Sequence, residues 1–359
     1  MKILFLLTGL RLGGAERQLL LLCKHLKMRG FDVAVTAMES GGIMKQEFLN
    51  EGITVFELDI INLRSLIGGY RRFSKIVKQF QPSVIHAHMI HANYFSAIFK
   101  LFNPKHRLII TAHNLIEGNK MLMHGYRIIK SIPNWATQVS AETYHAFIDN
   151  RYFLPKRSSH IENAIDTALF NPKHFNQYKI RTAMGISLDD FVFLGAGRLQ
   201  HQKNFELLIK AFKKSKAANS VLLIAGEGVL EKELKQLCVE LQLANAVRFL
   251  GRKTDMASLF ALSDCFVLSS NFEGFGLVAA EAMAMQKPVI ATDCGGVSEV
   301  LGGLGTLVPV NDLEALAAAM QNASYARQES GLEELRIHIE KNYSIEKVLK
   351  KWEHLYFSL

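Results

Sequence analysis

NFEGFGLVAAEAMAMQKP, residues Asn271 to Pro288, opens polar and glycine-bearing and then becomes an uninterrupted helix former. Leu277 to Gln286 holds no Gly, no Pro and a single β-branched residue, which predicts a helix. Gly274 and Gly276 precede its first turn. A helix that starts in a glycine loop exposes unpaired N–H groups, and its dipole favours an anion there. Two carboxylates bracket this start: Glu273 on the loop and, eight positions on, Glu281 about one turn into the helix. Acids beside an anion-attracting terminus suit a ligand that carries both phosphate and hydroxyls, because carboxylates accept strong bonds from hydroxyl groups. A buried crossover helix with two surface acids fits the same letters.

The pattern Glu273-GFGLVAA-Glu281 resembles the E-x7-E donor signature of retaining glycosyltransferases of family 4, which have the GT-B fold. The flanking run from SDCFVLSS through PVIATDCGGVSEV is similar to that family nearly position by position. The resemblance implies two Rossmann-like α/β domains facing across a cleft, with a C-terminal helix returning to the first. It also implies a nucleotide-sugar donor, with Glu281 on the ribose diol and Glu273 on hydroxyls of the transferred sugar.

Composition is consistent with this. A chain of 359 residues, 49% of them hydrophobic, fits two cores. The opening MKILFLL stops at Thr8-Gly9, too short for a signal peptide, and no apolar run reaches the ~18 residues of a spanning helix. Cys23, Cys238, Cys265 and Cys294 lack paired spacing and read as reduced core thiols of a cytoplasmic protein. A formal charge of +9 asks for an anionic partner.

Lys2–Leu7 reads as a central parallel strand that breaks into TGLRLGGAER and a helix. Strand, glycine loop and helix form the phosphate-binding geometry of a doubly wound sheet, although G-x-G-x-x-G is absent. In the family resembled, Gly13 approaches the acceptor and Gly14 the donor phosphate; a plain tight turn is the other reading. Glu16 reads first as a first-turn helix acid, with an acceptor contact the alternative. Further strands are expected at 31–38, 53–58, 83–89 and 107–114, with helical patterns between most of them, the rhythm of an α/β half.

Two strands end in histidine, and side chains there face the ligand crevice of such sheets. His88 reads first as a satisfied polar residue, with acceptor contact the alternative, beside Asn114. His113 reads as functional: a histidine at this loop contacts the transferred sugar in similar enzymes. His86, His88 and His91 have no fourth ligand nearby, and zinc wants a nearly closed set, so no metal is expected.

Arg64–Lys78 reads first as an amphipathic cover helix with solvated cations, with an interfacial membrane contact the alternative. In Lys120–Lys130 the density of Met121, Leu122, Met123, Tyr126, Ile128 and Ile129 points to membrane or lipid-acceptor contact. Neither stretch follows a nucleic-acid-binding module, so no nucleic acid is expected. The expected location is cytoplasmic, peripheral on the inner face of the plasma membrane.

IENAIDTALFNP (161–172) resembles the inter-domain crossing of the family, with Ala164 where a Gly is usual. The expected domains are 1–165, 166–342 and a returning helix at 343–359. Within 191–212, Arg198 and Lys203 lie five positions apart on one loop, and Asn204 can cap the next helix. A guanidinium fork and a flexible ammonium on one loop can clamp a diphosphate. The family carries Arg and Lys there, which makes Arg198 and Lys203, with Glu273 and His113, the expected catalytic set. Loops at Gly226 and Gly251 fold around the nucleobase in similar proteins, and the backbone of Gly274, Phe275, Gly276 and Leu277 completes the donor site. Glu299 reads as a ligand contact or a turn cap. No D-x-D occurs in the chain, so leaving-group stabilisation is assigned to Arg198, Lys203 and the helix dipole, with no cofactor. Rival readings are a nucleotide-sugar 2-epimerase or hydrolase of the same fold, and a non-enzymatic basic protein for membrane or nucleic acid.

Overall fold

A computed structural model describes residues 1–327 and 330–359. The chain divides into two compact units, Met1–Ala164 with Ile345–Leu359, and Ile165–Ser344.

The first unit is built on β1 (Lys2–Leu7), β2 (Asp32–Ala37), β3 (Thr54–Glu57), β4 (Val84–His88), β5 (Arg107–Ala112), β6 (Trp135–Gln138) and β7 (Ser158–His160). All pairings are parallel, in the order β3-β2-β1-β4-β5-β6-β7. Parallel strands need both faces covered, and β1 shows how the sequence supplies this. Ile3, Phe5 and Leu7 enter one core with Leu19, Cys23 and Leu26 of the helix Gly14–Met28. Leu4 and Leu6 enter the opposite core with Phe73, Phe99, Tyr126 and Phe147. Those four come from the helices Leu66–Phe80, Ile90–Phe102, Lys120–Ile129 and Ala141–Asp149.

The chain's last helix, Ile345–Ser358, belongs to this unit. Its Ile345, Val348, Leu349, Trp352, Leu355 and Tyr356 are all buried, at the helical spacing that makes one apolar stripe. Lys351 and Glu353 on its rim pair with Glu162 at 2.5 Å and Arg29 at 3.2 Å.

The second unit has β8 (Phe191–Ala196), β9 (Ser220–Ala225), β10 (Val247–Gly251), β11 (Cys265–Leu268), β12 (Val289–Thr292) and β13 (Thr306–Val308). They too are all parallel, in the order β10-β9-β8-β11-β12-β13. In each unit the chain starts at the centre of the sheet, winds to one edge, returns and winds to the other. This doubly wound order leaves a crevice at the carboxyl ends of the two strands where the direction reverses. Those strands are β1 and β4 in the first unit, β8 and β11 in the second.

Two strands lacked a clear sequence signal. β6 is only WATQ, and β13 is three residues, two of them exposed. The helix expected over 277–286 ends at Ala284. Gln286 turns left-handed (φ 58), its N–H donates to Met283 O at 2.9 Å, and Lys287 N–H donates to Ala282 O at 2.9 Å. That is a Schellman closure with Gln in the glycine position. All four cysteines are buried thiols. No helix among the described residues is long and apolar enough to cross a membrane.

Trp352→Ala removes the largest apolar side chain of the last helix. It should lower the stability of the first unit by about 3–5 kcal/mol, read as a fall in that unit's urea midpoint. A loss below about 1 kcal/mol would mean that the helix is dispensable to this core.

Candidate functional site

At the reversal point of the second unit, the loop after β8 carries Gly197, Arg198 and a short 3-10 turn, His201–Lys203. Asn204 follows in left-handed geometry and caps the helix Phe205–Ser215 by accepting the Leu207 N–H at 3.3 Å. The loop after β11 is stitched to this one. Asn271 N–H donates to Gln202 O at 2.8 Å and its Nδ2 to His201 O at 2.8 Å. Gln202 Nε2 donates to Phe272 O at 3.0 Å, and Ser269 Oγ to Lys203 O at 2.9 Å. The result is a rigid frame for two charges. Lys203 Nζ stands 2.5 Å from Glu273 Oε1, both side chains largely buried, and Ser270 Oγ donates to the same oxygen at 2.6 Å. Oε2 of Glu273 has no partner among the described residues.

Two glycines are required by close approach. A Cβ at Gly226, after β9, would overlap the carbonyl oxygen of Gly197. One at Gly295, after β12, would overlap the carbonyl oxygen of Glu273 itself. Gly295 was missed by the sequence reading, and its signal was the Gly295-Gly296 pair directly after a strand.

Gly276 is left-handed (φ 90) and starts the helix Leu277–Ala284 without a side-chain cap. The N–H groups of Leu277 and Val278 find no acceptor among the described residues, so this terminus presents donors and a positive dipole end. Gly274 lies in the same loop, and Glu281 is half-buried on the helix. The ring of Phe275 is buried and packs edge-on to Tyr343 at 5.3 Å, so only its backbone borders the crevice. Gly251 is left-handed (φ 66) with open space around it. Arg252 and Glu227 pair across the loops after β10 and β9. Arg198 is exposed and makes no ion pair among the described residues. Glu299 is half-buried on the helix Val297–Leu301, its carbonyl taking the Tyr343 hydroxyl at 2.9 Å.

In the first unit, Gly13 is extended and Gly14 begins the helix. The Glu16 carboxylate folds back over Gly13, where any side chain would displace it, so this helix start is faced by its own acid. At the ends of β4 and β5 three imidazoles form a stack, with centroids 4.1 Å apart for His86–His88 and 5.1 Å for His88–His113. His86 shares hydrogen bonds with Tyr356 Oη at 2.9 Å and Thr111 Oγ1 at 2.7 Å, which occupies both ring nitrogens. His88 Nδ1 meets His113 Nε2 at 2.9 Å. Burial holds His86 and His88 well below the ordinary imidazole range and lowers His113 to about 4, so all three are neutral at pH 7. His88 is itself buried and reaches the edge of the unit only through His113. A cavity of about 20 Å³ bordered by Gln18, His88, His113 and Asn163 has room for about one water. Asn114 gives its carbonyl to Gln138 Nε2 at 3.2 Å, while its side-chain oxygen is buried without a partner. Among the described residues no three His, Cys, Asp or Glu side chains form a metal-ligating group.

Glu117 is a residue the sequence gave no reason to select. Its Oε1 accepts the His113 backbone N–H at 2.6 Å and its Oε2 the Tyr126 hydroxyl at 2.9 Å. Burial raises it to about 7, against those bonds, which pull it down. It pins the loop that carries His113 and Asn114.

Residues 12–169 match the family model described as Glycosyltransferase Family 4, and residues 176–341 match Glycosyl transferases group 1. The chain is a family 4 glycosyltransferase. Its two doubly wound sheets are those of the GT-B fold. A glycosyltransferase of Methanocaldococcus jannaschii, MJ1059, is 27% identical over 78% of this chain and 80% of its own length. The Escherichia coli UDP-Gal:alpha-D-GlcNAc-diphosphoundecaprenol alpha-1,3-galactosyltransferase is 24% identical over 86% and 84%. Among solved structures, Anabaena Alr3699/HepE in complex with UDP-glucose shares the fold, with a TM-score of 0.89, 23% identity and full coverage of both chains.

The two basic stretches of this glycosyltransferase divide by helical face. In Lys120–Ile129, Met123, Tyr126 and Ile129 point into the core, leaving Met121 (79% exposed) and Ile128 (82%) outside. Three of the six apolar residues that point to lipid contact are therefore turned inward. In Leu66–Phe80 the core takes Phe73, Ile76 and Val77, and Arg71, Lys75 and Lys78 are solvated, a cover helix.

Two predictions follow from these geometries. Lys203→Ala strands a buried carboxylate and should destabilise the second unit by about 3 kcal/mol. The double variant Lys203→Ala with Glu273→Gln should recover part of that loss in a urea double-mutant cycle, whereas simple additivity would show that the pair is not coupled. For Glu117 the folded state binds the extra proton between pH 4.5 and about 7, so its contribution to stability is lost as pH rises through that window. Glu117→Gln should therefore gain on the unmodified protein between pH 5 and pH 7.5, and a flat difference would place the carboxylate in water.

Proposed function

We propose that this glycosyltransferase is a retaining, metal-independent enzyme that moves a hexose or N-acetylhexosamine from a UDP-sugar to a lipid-linked glycan. Its role on this reading is bacterial cell-surface polysaccharide assembly, on the inner face of the plasma membrane. The observation that carries the reading is the Lys203–Glu273 pair, fixed beside the open helix start at Gly276. That places an ammonium, a carboxylate with one unshared oxygen and free backbone donors in one crevice. Phosphate matches the ammonium and the N–H groups, and a sugar hydroxyl matches the carboxylate. Glu281, one turn along, takes the ribose diol. Arg198, exposed and unpaired, closes on the diphosphate.

In the transfer, the bond from the anomeric carbon to the diphosphate oxygen breaks and a bond to the acceptor oxygen forms on the same face. The departing phosphate oxygen takes the acceptor's proton, so no protein base is required. Arg198, Lys203 and the helix terminus disperse the charge that develops on the diphosphate. The donor is assigned to the second unit. The acceptor is assigned to the first, near Gly13, His88, His113 and Asn114, with His113 neutral and able to share a hydrogen bond with a hydroxyl. The name of the Escherichia coli relative, which pairs a UDP-sugar with a lipid diphosphate acceptor, supports the choice of both substrates. The UDP-glucose held by the Anabaena protein supports the donor alone.

Arg198→Ala should lower kcat/KM by roughly 10²–10³-fold while leaving the melting temperature unchanged, since the side chain is exposed. A panel of UDP-sugars should contain one that raises the melting temperature, and NMR of the product should show the donor's anomeric configuration. An inverted product would overturn the retaining reading. Donor turnover equally fast without acceptor would favour the epimerase or hydrolase.

A further inference from the structure

Residues 60 to 141 contain eleven Lys and Arg but a single acid, Glu117. With 42 basic and 33 acidic residues overall, the rest of the chain is close to neutral, so the excess positive charge belongs to this segment. The segment supplies the helices Leu66–Phe80, Ile90–Phe102 and Lys120–Ile129, which cover one face of the first sheet. Nine of the eleven cations are exposed, and the one acid turns both oxygens inward.

Into this layer opens a groove of about 310 Å³, lined mainly by Leu115, Ile116, Met123, Phe147, Tyr152 and Lys120. That volume is at the lower end of small-molecule sites. The lining is apolar except near the rim. Lys120 lines it, and the guanidinium of Arg127 lies 5.5 Å from the Tyr152 ring centroid while its Nε donates to Asn150 O at 2.9 Å. Glu142 and Asp149, the acids of the adjoining helix, are not among the lining residues. Leu115 and Ile116 sit on the same loop as His113 and Asn114, directly after them in sequence.

We propose that this groove binds the hydrocarbon end of a lipid phosphate, with Lys120 and Arg127 at the phosphate. The inference rests on the reading that the acceptor is lipid-linked, and it names where the lipid sits. Apolar walls gain by taking an alkyl chain out of water. Lys120 on the lining, and Arg127 beside it against Tyr152 and Asn150, select a chain that ends in an anion, while the exposed acids of the covering helix, Glu142 and Asp149, stay off the lining. The loop shared with His113 then delivers the far side of the phosphate, where a glycan begins, toward the crevice of the first unit. An extended membrane surface would need only the outer faces of the helices, whereas the groove needs a single chain to enter.

The test measures dodecyl phosphate binding to the full chain by calorimetry, without any donor. Dodecyl phosphate should bind, with dodecanol and inorganic phosphate each weaker by about tenfold or more. Ile116→Trp, which fills the groove from an exposed loop position, and Lys120→Glu should each weaken binding by a similar factor, with circular dichroism unchanged. Binding that neither variant alters overturns the proposal, as does inorganic phosphate binding as well as the amphiphile. Adhesion to phosphatidylglycerol vesicles that Ile116→Trp leaves intact, with dodecyl phosphate ignored, overturns it in favour of a membrane surface. The underlying reading fails separately: transfer only to lipid-free glycans sinks the lipid-linked acceptor even if dodecyl phosphate occupies the groove.

Discussion

Lys203 and Glu273 are 70 positions apart and share one short contact. Burying two charges is expensive, and mutual attraction offsets the loss of water only when the geometry is good and further hydrogen bonds are made. Here the geometry is enforced from outside the pair. The reversal of strand order sets β8 beside β11, and a set of hydrogen bonds ties the loops that leave them. Glycines at 226 and 295 let neighbouring loops press against the backbone of Gly197 and Glu273. The ammonium and carboxylate therefore meet because the sheet and its loops leave them nowhere else to go. The helix start at Gly276 adds donors that find no acceptor among the described residues.

The first unit solves a different problem. Its crevice holds three imidazoles close together, which would repel if charged. Desolvation keeps all of them neutral, so each ring offers a donor and an acceptor in place of a cation. His86 spends both nitrogens on Tyr356 and Thr111. The helix Ile345–Ser358 is thus a direct support for the stack and not only a cover for the core. Glu117 holds the loop from the other side, through the backbone of His113 and the hydroxyl of Tyr126.

Much of this was legible in the letters and some was not, for physical reasons. β1 could be read to the residue, because a strand buried on both faces is a continuous apolar run. The loop residues Arg198, Lys203 and Glu273 stood out because charges beside glycines at strand ends are conspicuous. Their pairing did not, since nothing local records a contact across 70 positions. β6 and β13 were too short and too polar to show a period. The end of the helix at Ala284 depended on a left-handed Gln, which no propensity favours. In Lys120–Ile129 the spacing of the apolar residues says which of them face the core, and their density does not. Met123, Tyr126 and Ile129 follow one another by three, the mark of an inward stripe, and the outer residues Met121 and Ile128 stand alone. Glu117 was invisible because its importance lies in burial, which a lone acid in a loop does not announce.

The partition of contacts at Glu273 bears on how a donor would be recognised. Its Oε1 is committed to Lys203 and Ser270, and Oε2 is uncommitted. An ammonium has three donors, of which Glu273 takes one, so Lys203 can meet a phosphate oxygen without leaving its partner. On the proposed reading, then, one ion pair touches both ends of the bond that breaks: the ammonium on the phosphate side, the carboxylate on the sugar side. Recognition of the two parts is coupled through a contact of 2.5 Å. A free nucleotide would engage only the ammonium and a free sugar only the carboxylate. The crevice is therefore more complementary to the joined molecule than to either product, and separation of the products weakens the hold on both.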